Sequence, residues 1–149
     1  YEHLLRVVQQ ALVSNHVLVY LFNGAKALIE KLHHAGVLLA IATNKGQQSL
    51  ERAVQASALT DFFDITRSAG ELPAKPAPDM LADILALLDC TPQETLMIGD
   101  SVSDIEMANA LQVASIAVDF YNQQADDLRH AGALEVFCDF KQLEDYLGV

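Results

Sequence analysis

Two uninterrupted apolar runs, each closing on polar side chains, constrain this chain most: "VLLAIAT" (Val37–Thr43) and "TLMIG" (Thr95–Gly99). A strand that is apolar at every position is buried on both faces, which is the situation of a parallel sheet covered by helices. Segments of helical period alternate with these runs. "GAKALIEKLHHAG" sets Ala25, Leu28, Ile29 and Leu32 on one face, and Gly36 stands where a helix end favours a left-handed residue. A helix over 47–57 follows, then a strand near "FDITRSA", the Pro-rich loop "GELPAKPAP", and a helix carrying Leu81, Ile84, Leu85 and Leu88. "TPQE" (Thr91–Glu94) reads as a capping box with proline at the first helical position. A helix after Asp100, a strand "VASIAV", a helix near "QADDLRHAG", a short strand "LEVFCD" and a last helix "KQLEDYLG" complete the alternation. The pattern predicts an α/β fold with a doubly wound parallel sheet, which binds ligands at the carboxyl ends of its strands.

Reactive groups collect at that edge. Thr43, Asn44 and Lys45 end one strand, Lys75 lies in the loop before a helix, and "IGDSVSD" supplies Asp100, Ser101 and Asp104. Each has a plain structural reading: Thr43 as a helix cap, Lys75 as a solvated lysine, Asp104 as a first-turn acid favoured by the helix dipole. Asp100, a carboxylate directly after a buried strand, is harder to explain structurally. A hydroxyl, a lysine and two carboxylates together are what magnesium-assisted phosphoryl transfer needs. Mg²⁺ is held by one or two carboxylates, waters and the substrate phosphate, while a lysine offsets phosphoryl charge and a hydroxyl orients it.

The 149 residues suit one domain, and their formal charge of −11 argues against nucleic acid or an anionic membrane as partner. Any phosphate must therefore meet a local cation or a metal. No stretch reads as long and apolar enough to span a bilayer, and no signal-peptide pattern is expected from these residues. Cys90 and Cys138 read as buried or half-buried thiols of a reducing cytoplasm. His33 and His34 fit a helix end, and the other histidines share no ligand spacing.

The chain resembles the haloacid dehalogenase-like (HAD) hydrolase superfamily, in particular its phosphoglycolate phosphatase-like branch. "FNGAKALIEKLHHAGVLLAIATNK" resembles the second motif of that family, "KPAPDM" the third and "IGDSVSDIEMANA" the fourth, in the right order. The resemblance implies a Rossmann-like core and a phosphatase using Mg²⁺. Thr43 would bind the phosphoryl group with Asn44 beside it, and Lys75 would steady it. Asp100 would be a direct Mg²⁺ ligand; Asp104 would bind the metal directly, bind it through water, or hold Lys75. The Gly-Asp-Ser form of the last motif is nearer the phosphatases than the dehalogenases, which carry Ser-Asn there. The substrate implied is a small phosphorylated metabolite. Phosphoglycolate is favoured through "ATNK", with sugar phosphates, nucleotides and pyrophosphate left open.

The first motif of the family, an Asp-x-Asp pair at the end of the first strand, is missing: none of the twelve aspartates forms such a pair. Residues 1–20, with Leu4, Leu5, Val8, Ala11 and Leu12 on one helical face, read as the remnant of a helical cap or linker helix, and residues 21–149 as an incomplete core. Nothing before Val37 reads as a buried strand ending in a carboxylate. A core without its first strand would expose two buried strand edges. The chain should then be poorly stable alone, fill the gap some other way, or close it by self-association or with a complementing chain. Tyr1 in place of a methionine is consistent with further residues upstream. Two functions follow: a phosphatase whose nucleophile lies outside these residues, or a truncated, non-catalytic domain that binds Mg²⁺ or phosphate or pairs with another chain. A phosphoaccepting receiver-type domain is set aside, because there the acidic residues precede the hydroxyl and the lysine.

Overall fold

A computed structural model describes residues 5–8, 13–14, 20–21 and 24–149. Six parallel strands form the main sheet, in the order β5-β4-β1-β6-β7-β8. They are β1 (Leu5–Val8), β4 (Leu38–Thr43), β5 (Ile65–Ser68), β6 (Thr95–Gly99), β7 (Ala114–Val118) and β8 (Val136–Phe137). Two further strands, β2 (Val13–Ser14) and β3 (Tyr20–Leu21), pair antiparallel as a separate ribbon. The helices are α1 (Ala25–His34), α2 (Gln47–Ala56), α3 (Asp79–Leu87), α4 (Val102–Ala110), α5 (Ala125–Ala131) and α6 (Phe140–Leu147).

The alternation expected from the apolar runs is found along the whole chain from Ala25 on. Gly36, just past α1, has φ 82, the left-handed conformation that ends the helix. The Thr91–Glu94 capping box is formed, with Glu94 Oε2 accepting from the Thr91 N–H at 2.9 Å, over a single 3₁₀ turn.

The apolar runs face both ways because successive side chains of a strand point to opposite sides. Leu39, Leu96, Ile98, Ile116 and Val118 pack with Leu28, Ile29 and Leu32 of α1 and Phe140 and Leu143 of α6. Ala40, Ala42 and Met97 pack on the other face against Met80, Leu81 and Ile84 of α3 and Met107 of α4. The small alanines of β4 leave room there for methionine and leucine side chains.

The amino-terminal stretch corrects the sequence reading. Leu5–Val8, expected within a cap helix, forms the central strand of the core sheet, so residues 1–20 are not wholly a cap remnant. It pairs with β4 (Leu5↔Leu38 to Val7↔Ala40) and with β6 (Leu5↔Thr95 to Val8↔Ile98). The place expected to be vacant is filled by "LRVV". The reason is backbone demand: β4 and β6 each present a buried edge, and a short β-branched segment of ambiguous period satisfies both. Leu4, Ala11 and Leu12 of the expected helical face lie outside the described residues. Cys138, expected at least half-buried, is an exposed free thiol, and Cys90 is half-buried and free. Among the described residues no helix is long and apolar enough to cross a membrane.

Candidate active site

The winding of the sheet reverses at β1, so the carboxyl ends of β4 and β6 open on a crevice between diverging connections. Ala40, Val7 and Met97 share one level across the three strands. Three residues further on, Thr43 and Asp100 stand at one level on either side of the central strand. Two strand spacings, about 10 Å, separate them.

Lys75 and Asp104 form a buried ion pair, Nζ donating to Oδ1 at 2.6 Å, with 2% and 0% of their side chains exposed. The second oxygen of Asp104, Oδ2, accepts the backbone N–H of Asp100 at 3.0 Å, that of Ser101 at 3.1 Å and the Ser101 hydroxyl at 2.9 Å. Ser101 is the N-cap of α4 and forms a capping box with Asp104. Both oxygens of Asp104 are thus engaged within the chain. This geometry matches the third role left open for it, holding Lys75.

Such a turn requires Gly99. A Cβ on that residue would lie 2.5 Å from both Cβ and Oδ2 of Asp104, closer than packed atoms come. The glycine between strand and aspartate is therefore the space in which the Asp104 carboxylate sits. The close approach is a property the sequence could have suggested, since glycine at a strand end marks a backbone that something must come near.

Asn44 is exposed but not idle. Its Oδ1 accepts the Lys75 N–H at 2.8 Å, and its Nδ2 donates to the Lys75 carbonyl at 3.4 Å. This two-point contact was not legible in the sequence, where Asn44 was expected beside the phosphate. Thr43 is buried at the end of β4. Its Oγ1 accepts from the Lys45 N–H at 3.1 Å, a local turn, while α2 takes Gly46 as its N-cap. The alternative reading of Thr43 as a helix cap is thereby corrected. Asp119, at the same edge after β7, accepts the N–H groups of Gln123 and Gln124 and organises its own loop.

Two carboxylates against one ammonium leave the cluster short of positive charge. Burial, then the Asp104 carboxylate, pushes the Asp100 carboxyl up to about 6, with Lys75 opposing. Burial likewise draws the Lys75 ammonium below its ordinary value, against the opposing charges of Asp104 and Asp100. A half-buried carboxylate that resists ionising alone is a hard oxygen donor suited to a cation such as Mg²⁺. Among the described residues no group of three or more His, Cys, Asp or Glu side chains gathers around a single point. Asp100 therefore fits the ion in character but supplies only part of a coordination shell, as is usual where waters and a phosphate supply the rest. The strand between Thr43 and Asp100 brings no acid of its own: no Asp or Glu occurs between Glu2 and Glu30.

The model of the family described as haloacid dehalogenase-like hydrolase matches residues 1–118. A phosphoglycolate phosphatase of Psychrobacter arcticus is 31% identical over 120 residues, covering 80% of this chain and 52% of that protein. A pyrophosphatase PpaX of Bacillus cereus is 37% identical over 78 residues, covering 52% of this chain and 36% of that one. The chain thus spans about half the length, or less, of these curated relatives. Among solved structures, a putative β-phosphoglucomutase from Thermotoga maritima superposes with a TM-score of 0.82 at 21% identity, covering 88% of this chain and 61% of that one. A HAD family hydrolase from Deinococcus radiodurans, with bound phosphate and sodium, superposes at 0.81 and 23% identity over 87% of this chain and 60% of its own. These two likenesses establish the fold. With the family match covering most of the chain, they lead to one identification: the chain belongs to the haloacid dehalogenase-like hydrolases, in their phosphoglycolate phosphatase-like branch.

Proposed function

We propose that the chain forms the greater part of the catalytic core of a Mg²⁺-dependent phosphatase of small phosphorylated metabolites. One observation carries this reading: the buried Lys75–Asp104 pair is bonded into the Gly99–Ser101 turn, at the strand level of Thr43 across the crevice. Lys75 offsets the charge of the phosphoryl oxygens from a position fixed by Asp104. The Thr43 hydroxyl orients the same group, with Asn44 beside it on the loop. Asp100 presents the carboxylate for Mg²⁺, and Asp104 keeps that turn in place. When bound, Mg²⁺ supplies charge neutralisation at the phosphoryl group.

In this reading the attacking aspartate, which forms a phosphoaspartyl intermediate, is not among these 149 residues, since they hold no Asp-x-Asp pair. Phosphoglycolate and pyrophosphate are the substrates to assay first, since similar proteins bear those names. The negative charge favours neither nucleic acid nor an anionic membrane, and the free thiols suit the cytoplasm. In the complete protein, Asp100→Asn is expected to abolish Mg²⁺-dependent phosphate release. Turnover near that of the unmodified protein would overturn the assignment.

A second reading, a non-catalytic domain that binds Mg²⁺ or phosphate or pairs with another chain, is favoured by the central strand. Leu5–Val8 already completes the sheet, and its sequence LRVV contains no acid. Titration calorimetry and size-exclusion chromatography on the 149-residue chain separate the two. Mg²⁺ binding or self-association without turnover in any longer form supports it; a monomer with no Mg²⁺ affinity removes it.

A further inference from the structure

The geometry points to Asn44 as a positioning residue that fixes the Lys75 loop through its side-chain amide. The inference rests on the phosphatase reading only in treating Lys75 as the phosphoryl-binding lysine.

Lys75 enters a proline-rich loop with no regular secondary structure of its own, between β5 and α3. Its ammonium is tied to α4 by Asp104, but that tie does not define where the Lys75 backbone lies along the loop. The definition comes from the opposite side of the crevice. Asn44 offers an acceptor to the Lys75 N–H and a donor to the Lys75 carbonyl, the pairing a neighbouring strand would give, here made by one amide. The result is a continuous bonded bridge from the end of β4, through Lys75 and Asp104, to the Asp100–Ser101 turn at the end of β6.

One N–H and one lone pair of the Asn44 amide are engaged by the Lys75 backbone, so the orientation of the amide is set by the loop. Only asparagine provides donor and acceptor at this reach. Aspartate at this position would keep the acceptor for the Lys75 N–H and set a second oxygen against the Lys75 carbonyl. Alanine would remove both bonds.

Reductive methylation of the 149-residue chain, followed by peptide mass spectrometry, tests the bridge without any need for turnover. Lys75, whose side chain is 2% exposed, should react slowly in the unmodified chain. Asn44→Ala should raise its rate roughly tenfold, from the loss of one good hydrogen bond. Lys26, Lys31 and Lys141, remote in sequence from the loop, should be unchanged. Asn44→Asp should fall between the two, and circular dichroism checks that each variant is folded. An unchanged Lys75 rate in folded variants would overturn the inference. So would equal acceleration at every lysine, which would report general loosening.

In the complete enzyme, if it turns over, Asn44→Ala should lower kcat roughly tenfold or more with KM little changed. A rise in KM with kcat kept would mean that Asn44 touches the substrate, and would also overturn the inference. Failure of turnover in the unmodified protein would count against the phosphatase reading alone, leaving the methylation result to decide the bridge.

Discussion

At the scale of single residues, the site depends on an atom that is missing. Gly99 has no Cβ, and the Asp104 carboxylate lies where one would be, 2.5 Å from its ideal position. Gly99→Ala should therefore cost about 1–3 kcal/mol through overpacking alone, read as a lower urea midpoint at unchanged m-value. It should also release Asp104 from the Asp100 and Ser101 amides. A variant as stable as the original chain would show that the turn relaxes freely. That Thr43, Lys75, Asp100 and Asp104 stand at one sheet edge was legible from their order along the chain. Their partners were not, because a hydrogen bond between Asn44 and Lys75, 31 residues apart, depends on how two loops meet.

At the scale of elements, α1, α3, α4 and the apolar strands could be read because periodicity, glycine and capping residues agree within each segment. Leu5–Val8 could not. Its local pattern suits a helix as well as a strand, and what decides it is an unfilled place between β4 and β6 set by residues more than 30 positions away. A central strand uses its N–H groups towards one neighbour or the other, so proline is excluded there. Val7→Pro should lower stability by about 1–3 kcal/mol for the ladder bond it deletes, measured by chemical denaturation. An unchanged midpoint would mean that Leu5–Val8 does not hold the central position in solution. The outer strand β5 shows the opposite management of an edge: the Arg67 guanidinium donates to the Thr66 carbonyl at 2.8 Å and pairs with Asp83, covering groups that another strand could otherwise engage.

At the scale of the whole molecule, a formal charge of −11 and the half-buried Asp100 beside the buried Lys75–Asp104 pair set how stability responds to pH and cations. Asp100 titrates at about 6 in the fold against 3.8 for an ordinary aspartate. A raised acid favours the folded state while protonated, so its contribution is complete below the lower value and is lost as pH rises through the higher one. In the proposed function Mg²⁺ would select the ionised form of Asp100. Its stabilisation should be small at pH 5 and clear at pH 7.5, read as a rise in Tm with Mg²⁺ concentration. An equal rise at both pH values, or the same rise in Asp100→Asn, would place cation binding elsewhere.

The central strand also has a consequence for how the molecule is made. Leu5 pairs with Thr95 and Val8 with Ile98, so the middle of the sheet joins segments 90 residues apart. During synthesis, Leu5–Val8 emerges from the ribosome long before β6 exists to receive it. For that interval a strand-forming segment has at most one of its two neighbours, the condition in which nascent chains pair wrongly or are held by chaperones. The yield of folded protein should therefore depend on translation rate through residues 38–99 more than on the stability of the finished sheet.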